Sequence, residues 1–142
     1  MRQIIAALAT VLCLLVVGEA EAGPRLVARV NISSQMMTVS YNGEIIEEWP
    51  VSTARKGFVT PMGRYRPTRL SRMWYSRKYD NSPMPHSIFF RGGYAIHGTG
   101  AVRSLGRPAS HGCVRLHPSD AAALYAMVRD VGPGNTAIVI TR

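Results

Sequence analysis

Met36-Met37-Thr38-Val39-Ser40-Tyr41-Asn42-Gly43-Glu44-Ile45-Ile46-Glu47-Glu48-Trp49 is the stretch whose reading sets the fold class. Apolar and β-branched residues dominate 36–41. Asn42-Gly43 follows, a pair that accepts the positive φ of a two-residue hairpin turn. The spacing predicts a strand over Met36 to Tyr41 and a return strand from about Glu44 to Ser52. Upstream, Leu26 to Ile32 has the same composition and reads as another strand. Downstream, Thr60-Pro61-Met62-Gly63 reads as a turn, and Tyr65 is expected to start a further strand. Ile88-Phe89-Phe90-Arg91 and Tyr94-Ala95-Ile96-His97 flank Gly92-Gly93 as a second hairpin, which sets His97 at a strand end. Between them, Arg66 to Ser87 is interrupted by Pro83 and Pro85 and is expected to be a long irregular loop.

One helix stands out. Ala121, Leu124, Tyr125 and Val128 recur with helical spacing and form one apolar face. Pro118 in the first turn, with capping oxygens from Ser119 and Asp120, is the expected start; Gly132-Pro133-Gly134 ends it. Thr136 to Thr141 closes the chain as a strand. Many strands with turn signals and one short helix give a mainly β domain, a sandwich or a small barrel.

The first residues have the composition of a secretory signal. Arg2 is followed by the 14-residue apolar run Ile4 to Val17, and Ala20-Glu21-Ala22 fits a small-x-small cleavage site. The run is shorter than a membrane span requires. Cys13 lies inside it, but Leu12 is bulkier than the residue that usually precedes a lipidated cysteine. Residues 1–22 are therefore expected to be a cleaved signal, and 23–142 one domain exported to the periplasm or cell wall. Without Arg2, Glu19 and Glu21 the chain keeps 16 basic and 6 acidic side chains, a net +10. Such a surface suits an anionic polymer. For an exported protein that means cell-wall material or acidic lipid rather than nucleic acid; the plainer reading is solubility and general envelope affinity.

Within 23–142, Cys113 is the only cysteine, in Ser110-His111-Gly112-Cys113-Val114-Arg115. A lone thiol in an exported chain has no internal disulfide partner. As a nucleophile it needs a base, and His97, sixteen positions upstream, and His111 are the candidates. His97 is preferred because another strand brings its ring to the sulfur. Gly112 lets the backbone turn sharply and expose successive N–H groups, which can hold an oxyanion.

Ile96-His97-Gly98-Thr99 and Ser110-His111-Gly112-Cys113-Val114-Arg115, with Val51-Ser52-Thr53, the Thr60-Pro61-Met62-Gly63 turn and the Gly93-Tyr94-Ala95-Ile96 lead-in, resemble the L,D-transpeptidase (YkuD-type) catalytic domain across essentially all of 23–142. The resemblance implies a β-sandwich with a short helix after the cysteine. It implies Cys113 as nucleophile, His97 as general base and the Gly98 carbonyl as the group that orients the ring. It implies the amides of His111, Gly112 and Cys113 as the oxyanion hole, and Ser110 and Arg115 beside the substrate. The implied reaction is acyl transfer on peptidoglycan stem peptides. The thiolate attacks the carbonyl of the third stem residue, releases D-alanine, and passes the acyl group to an amine for a 3→3 cross-link, without metal or organic cofactor.

Other readings share these residues. Water as acceptor gives an L,D-carboxypeptidase; a protein lysine gives attachment of a protein to the wall. A non-catalytic peptidoglycan-binding module would not need the His97/Cys113 pair. A zinc site from His97, His111, Cys113 and His117 has the right ligand types but weak spacing. Arg115 reads equally as a clamp for a substrate carboxylate or as half of an ion pair. Trp74, Tyr75 and Tyr79 with Arg72, Arg77 and Lys78 form either a substrate-facing lid or a loop packed on the sheet. His86 and His117 are expected to play no catalytic part.

Overall fold

The computed structural model describes residues 22–142; the predicted signal segment lies almost wholly outside the described residues. Among the described residues nine strands form two sheets, and one α-helix closes the core. β1 (Leu26–Asn31), β2 (Met36–Tyr41) and β3 (Glu44–Pro50) make an antiparallel meander. The predicted turn is present: Asn42 and Gly43 adopt φ of 48° and 87° between β2 and β3. β9 (Thr136–Thr141) lies parallel to β1, and β4 (Gly63–Tyr65) adds antiparallel to β9, so the first sheet runs β3-β2-β1-β9-β4. Tyr65 thus ends a short strand rather than starting one.

The second sheet runs β5-β6-β7-β8, from Arg69–Ser76, Ser82–Arg91, Tyr94–Gly98 and Val114–Leu116. Here the expected loop over Arg66 to Ser87 is corrected: most of it is β5 and the first half of β6. The prolines are tolerated because β7 pairs only with the far end of β6, from Ile88 onward, while Pro83 and Pro85 face β5 alone, opposite Tyr75 and Met73. A residue paired on one side only can lack an N–H where no partner needs it.

The alternation of the strands sends Leu26, Ala28, Val30, Met37 and Val39 of the first sheet and Ile88, Phe90, Ile96, Val114 and Leu116 of the second into one core. The helix α1 (Pro118–Val131) adds Ala121, Leu124 and Val128 to it and packs on β6 and β7. Its start agrees with the sequence, but the N-terminal capping atom is His117 Nδ1, which accepts from the Ser119 N–H at 3.2 Å. A side-chain acceptor is needed there because a helix leaves its first N–H groups unpaired; the imidazole supplies it, which accounts for His117.

Candidate active site

β7 and β8 are parallel neighbours, with Ile96 opposite Val114 and His97 opposite Arg115. A parallel pair needs a crossover of a dozen or more residues, which is why sixteen positions separate the histidine from the cysteine. Side chains alternate along a strand. Ile96, Val114 and Leu116 therefore face the main core, whereas Ala95 turns to the other face. There it joins Met84 and Phe89 in a second small cluster, with Trp74 and Cys113 packed against it. The thiol thus lies on the side of the second sheet turned away from the main core, on the same face as His97 and Arg115.

His97 is 6 % exposed. Its Nδ1 lies 2.6 Å from the Gly98 carbonyl oxygen. A carbonyl only accepts, so Nδ1 carries the hydrogen and Nε2 keeps its lone pair. Burial lowers the imidazole from 6.5 to about 4; the Gly98 hydrogen bond opposes this and the Arg115 charge adds to it. The ring is therefore a neutral base near neutral pH. Gly98 itself is wedged beneath the first turn of α1: a Cβ there would meet Pro85 Cγ at 3.1 Å and Ala121 Cβ and Pro118 Cα at 3.3 Å. Helix packing thereby fixes the carbonyl that fixes the ring.

Cys113 is a free, partly exposed cysteine. Its Sγ lies 3.8 Å from the Gly93 carbonyl oxygen. Burial raises the thiol above its ordinary value, while a hydrogen bond from the Ala95 backbone and the positive charge of Arg115 pull it down. The resting pair is a neutral thiol and a neutral imidazole.

The loop before β8 is braced internally. Ser110 is fully buried; its Oγ accepts from the Gly112 N–H at 3.0 Å and donates to the Cys113 carbonyl at 2.6 Å. Two expectations change here. Ser110 faces the loop interior, not a substrate. The Gly112 amide, expected in the oxyanion hole, is occupied by that hydroxyl, so of the three expected donors it is not free. Gly112 has φ of +135°, and a Cβ would stand 2.7 Å from a Tyr94 ring carbon and 2.9 Å from the Val59 carbonyl oxygen. The segment after β3 holds the other side of the loop. Ser52 exchanges both backbone hydrogen bonds with Arg115, and the Thr53 carbonyl accepts from Ala109 and Ser110. Thr53 is in turn gripped by buried Gln35, whose Nε2 reaches Thr53 Oγ1 at 2.6 Å and whose Oε1 accepts the Thr53 N–H at 3.0 Å.

The His111 ring points outward. It stacks on Tyr79, with centroids 4.1 Å apart and planes at 8°, and meets Phe58 edge-on at 4.8 Å. Desolvation, then Arg55, Arg115 and Lys78, hold its protonation below the ordinary range. Tyr79, in the β5–β6 turn, is therefore tied to the site loop, whereas Trp74 packs edge-on against Phe89 in the sheet and Tyr75 is exposed. With His111 on Tyr79 and His117 on the helix cap, the four zinc donors do not converge, and no cluster of three such ligands occurs among the described residues. Arg115 is half-buried. Its Nη1 lies 3.5 Å from the Ala109 carbonyl, and among the described residues no carboxylate pairs with it. No sequence pattern marks the Ala95 N–H beside the thiol or Gln35 beside Thr53, because one is a backbone group and the other lies in a remote turn.

A profile of the YkuD L,D-transpeptidase catalytic domain matches residues 25–140. The Bacillus subtilis (strain 168) protein YkuD, named as an L,D-transpeptidase, is 26% identical over 117 residues, covering 80% of this chain and 64% of its own length. An L,D-transpeptidase from Stackebrandtia nassauensis superposes with a TM-score of 0.74 at 27% identity, covering 86% of this chain and 58% of that one. The L,D-transpeptidase LdtMt1 in complex with imipenem gives 0.73 at 24% identity, covering 84% and 60%. This chain thus spans under two thirds of the length of each of these relatives.

Proposed function

Membership of this chain in the YkuD-type L,D-transpeptidase catalytic-domain family is the premise from which we propose that it is an exported peptidoglycan L,D-transpeptidase, forming 3→3 cross-links through a cysteine acyl-enzyme. The observation that carries the proposal is the His97–Gly98 lock at 2.6 Å, on the strand beside the one that follows Cys113, with the free ring nitrogen available as base. Arg115 supports an anionic substrate, being a half-buried cation beside the thiol without a carboxylate of its own among the described residues.

Substrate enters with the carbonyl of the third stem residue at Sγ and a stem carboxylate at Arg115. His97 Nε2 takes the thiol proton as the S–C bond forms, so charge appears on the carbonyl oxygen and on the imidazolium together. The free amides of the cysteine loop receive the oxyanion, and a preorganised donor of this kind is worth about 2.7–4 kcal/mol. Collapse breaks the C–N bond, and His97 hands its proton to the departing D-alanine amine. A second stem amine then attacks the thioester, losing its proton to His97, and the thiol is regenerated. Arg115 stabilises the thiolate character of the transition state through its charge. Export rests on the apolar run and small-x-small site in residues 1–22. The net positive charge would hold the enzyme against an anionic wall polymer.

Mass spectrometry of muropeptides after incubation with purified protein tests the reading. Dimers joined 3→3 are expected. Tripeptides without dimers would make water the acceptor and the enzyme an L,D-carboxypeptidase. Acylated protein lysine would make it a protein-attachment enzyme. No change with a reduced thiol would leave only a wall-binding module.

A further inference from the structure

We propose that Thr60 is a positioning residue for acyl transfer: its hydroxyl fixes the Gly112–Cys113 peptide so that the Cys113 N–H is aimed at the oxyanion. The proposal rests on the acyl-transfer reading above. Thr60 is 5 % exposed and lies outside the strands, fifty-two residues before Gly112. Its Oγ1 accepts the Ala54 N–H at 3.0 Å and donates its one hydrogen to the Gly112 carbonyl at 2.8 Å. A threonine hydroxyl has a single hydrogen to give, so that hydrogen is committed to Gly112 and the hydroxyl's direction is set at both ends.

The consequence lies in the peptide plane. No cis peptide bond occurs among the described residues. In a planar trans peptide the C=O and the following N–H point in opposite directions. Anchoring the Gly112 carbonyl on Thr60 therefore turns the Cys113 N–H away from Thr60. The other backbone groups of the pair are also held: the Gly112 N–H by Ser110 Oγ at 3.0 Å and the Cys113 carbonyl by the same oxygen at 2.6 Å. Of the four backbone groups of Gly112 and Cys113, only the Cys113 N–H has no acceptor among the described residues. It belongs to the residue that bears the nucleophile, where a developing oxyanion would sit. Thr60 and Ser110 thus leave one donor free and prevent it from rotating, which is the preorganisation electrostatic catalysis requires.

Two reactions of the same thiol separate positioning from general damage. Acylation by imipenem needs the oxyanion donor; alkylation by iodoacetamide needs only a reactive thiol. Thr60→Val keeps the shape and removes the hydroxyl. Its imipenem acylation rate should fall about tenfold to a hundredfold, with alkylation within about twofold of wild type, and Thr60→Ser should restore acylation. Equal acylation by Thr60→Val and wild type overturns the proposal, as does a parallel fall in both reactions. If Thr60→Val does not fold, amide hydrogen exchange on wild type decides: Gly112 should be protected and Cys113 fast, and the reverse order refutes the proposal. Absence of acylation in wild type itself would instead remove the acyl-transfer reading on which the proposal stands.

Discussion

Acidification from about pH 7 to about pH 4 should cost this fold roughly 3 kcal/mol through His97 alone. The imidazole ordinarily titrates at 6.5 and in the fold at about 4. Between these values the unfolded chain binds a proton that the native state refuses. Stability therefore rises with pH across the window and falls as pH drops through it, most of the loss being complete once pH reaches the folded value. At about 1.36 kcal/mol per pH unit the gap gives roughly 3 kcal/mol. The cause is burial, which the Gly98 hydrogen bond only partly offsets. Urea unfolding of wild type and His97→Gln at a series of pH values measures it. The six carboxylates of residues 23–142 and the other histidines titrate in both proteins, so the difference between the two stability curves isolates His97. That difference should be flat above about pH 7, change by about 1.36 kcal/mol per pH unit between about 6 and 4, and level off below. Parallel curves would refute the reasoning, because they would mean a ring that is solvated rather than held neutral. Acylation should share this origin: its acid limb should fall near pH 4, and a limb at the ordinary histidine value would contradict the locked geometry.

Three further outcomes follow from the site. Cys113→Ala should abolish a carbapenem adduct seen as a mass increase on the intact chain, and His97→Ala should slow its formation by orders of magnitude, more than His111→Ala does; the reverse order would exchange the roles of the two histidines. Gly112→Ala should destabilise the fold by on the order of 1–3 kcal/mol in thermal or urea unfolding, from the positive φ and the approach of Tyr94 and Val59, and should abolish acylation; a variant of unchanged stability would mean the loop relaxes freely. Binding to purified peptidoglycan in a pelleting assay should weaken as salt rises, since a net +10 surface acts through screened charges; salt-independent binding would deny the charge that role.

Strand and helix positions were legible wherever one local signal acted alone. The Asn42-Gly43 turn, the Gly92-Gly93 hairpin and the apolar face of Ala121, Leu124 and Val128 are set by φ preference and periodicity, which neighbours in the chain decide. Cys113 and His97 stand out by residue type alone; that the strand carrying His97 runs parallel to the one after Cys113 is a property of the sheet. Pro83 and Pro85 misled because their tolerance depends on which strands flank β6, a property of the sheet and not of the segment.

Other features depended on chain segments far apart in sequence. That β9 inserts beside β1, joining the two ends of the domain, follows from core burial over more than a hundred residues of separation. The hydrogen bonds that hold the Gly112 and Cys113 backbone come from two buried hydroxyls, Ser110 and Thr60, whose acceptors and donors no pattern reveals. His97 as a candidate base came from its sequence neighbourhood; its lowering to about 4 comes from burial beneath a packed helix and sheet. Residue identity determined which chemistry was available. The tertiary structure decided its state, because desolvation and hydrogen-bond direction are set only when distant segments close around a group.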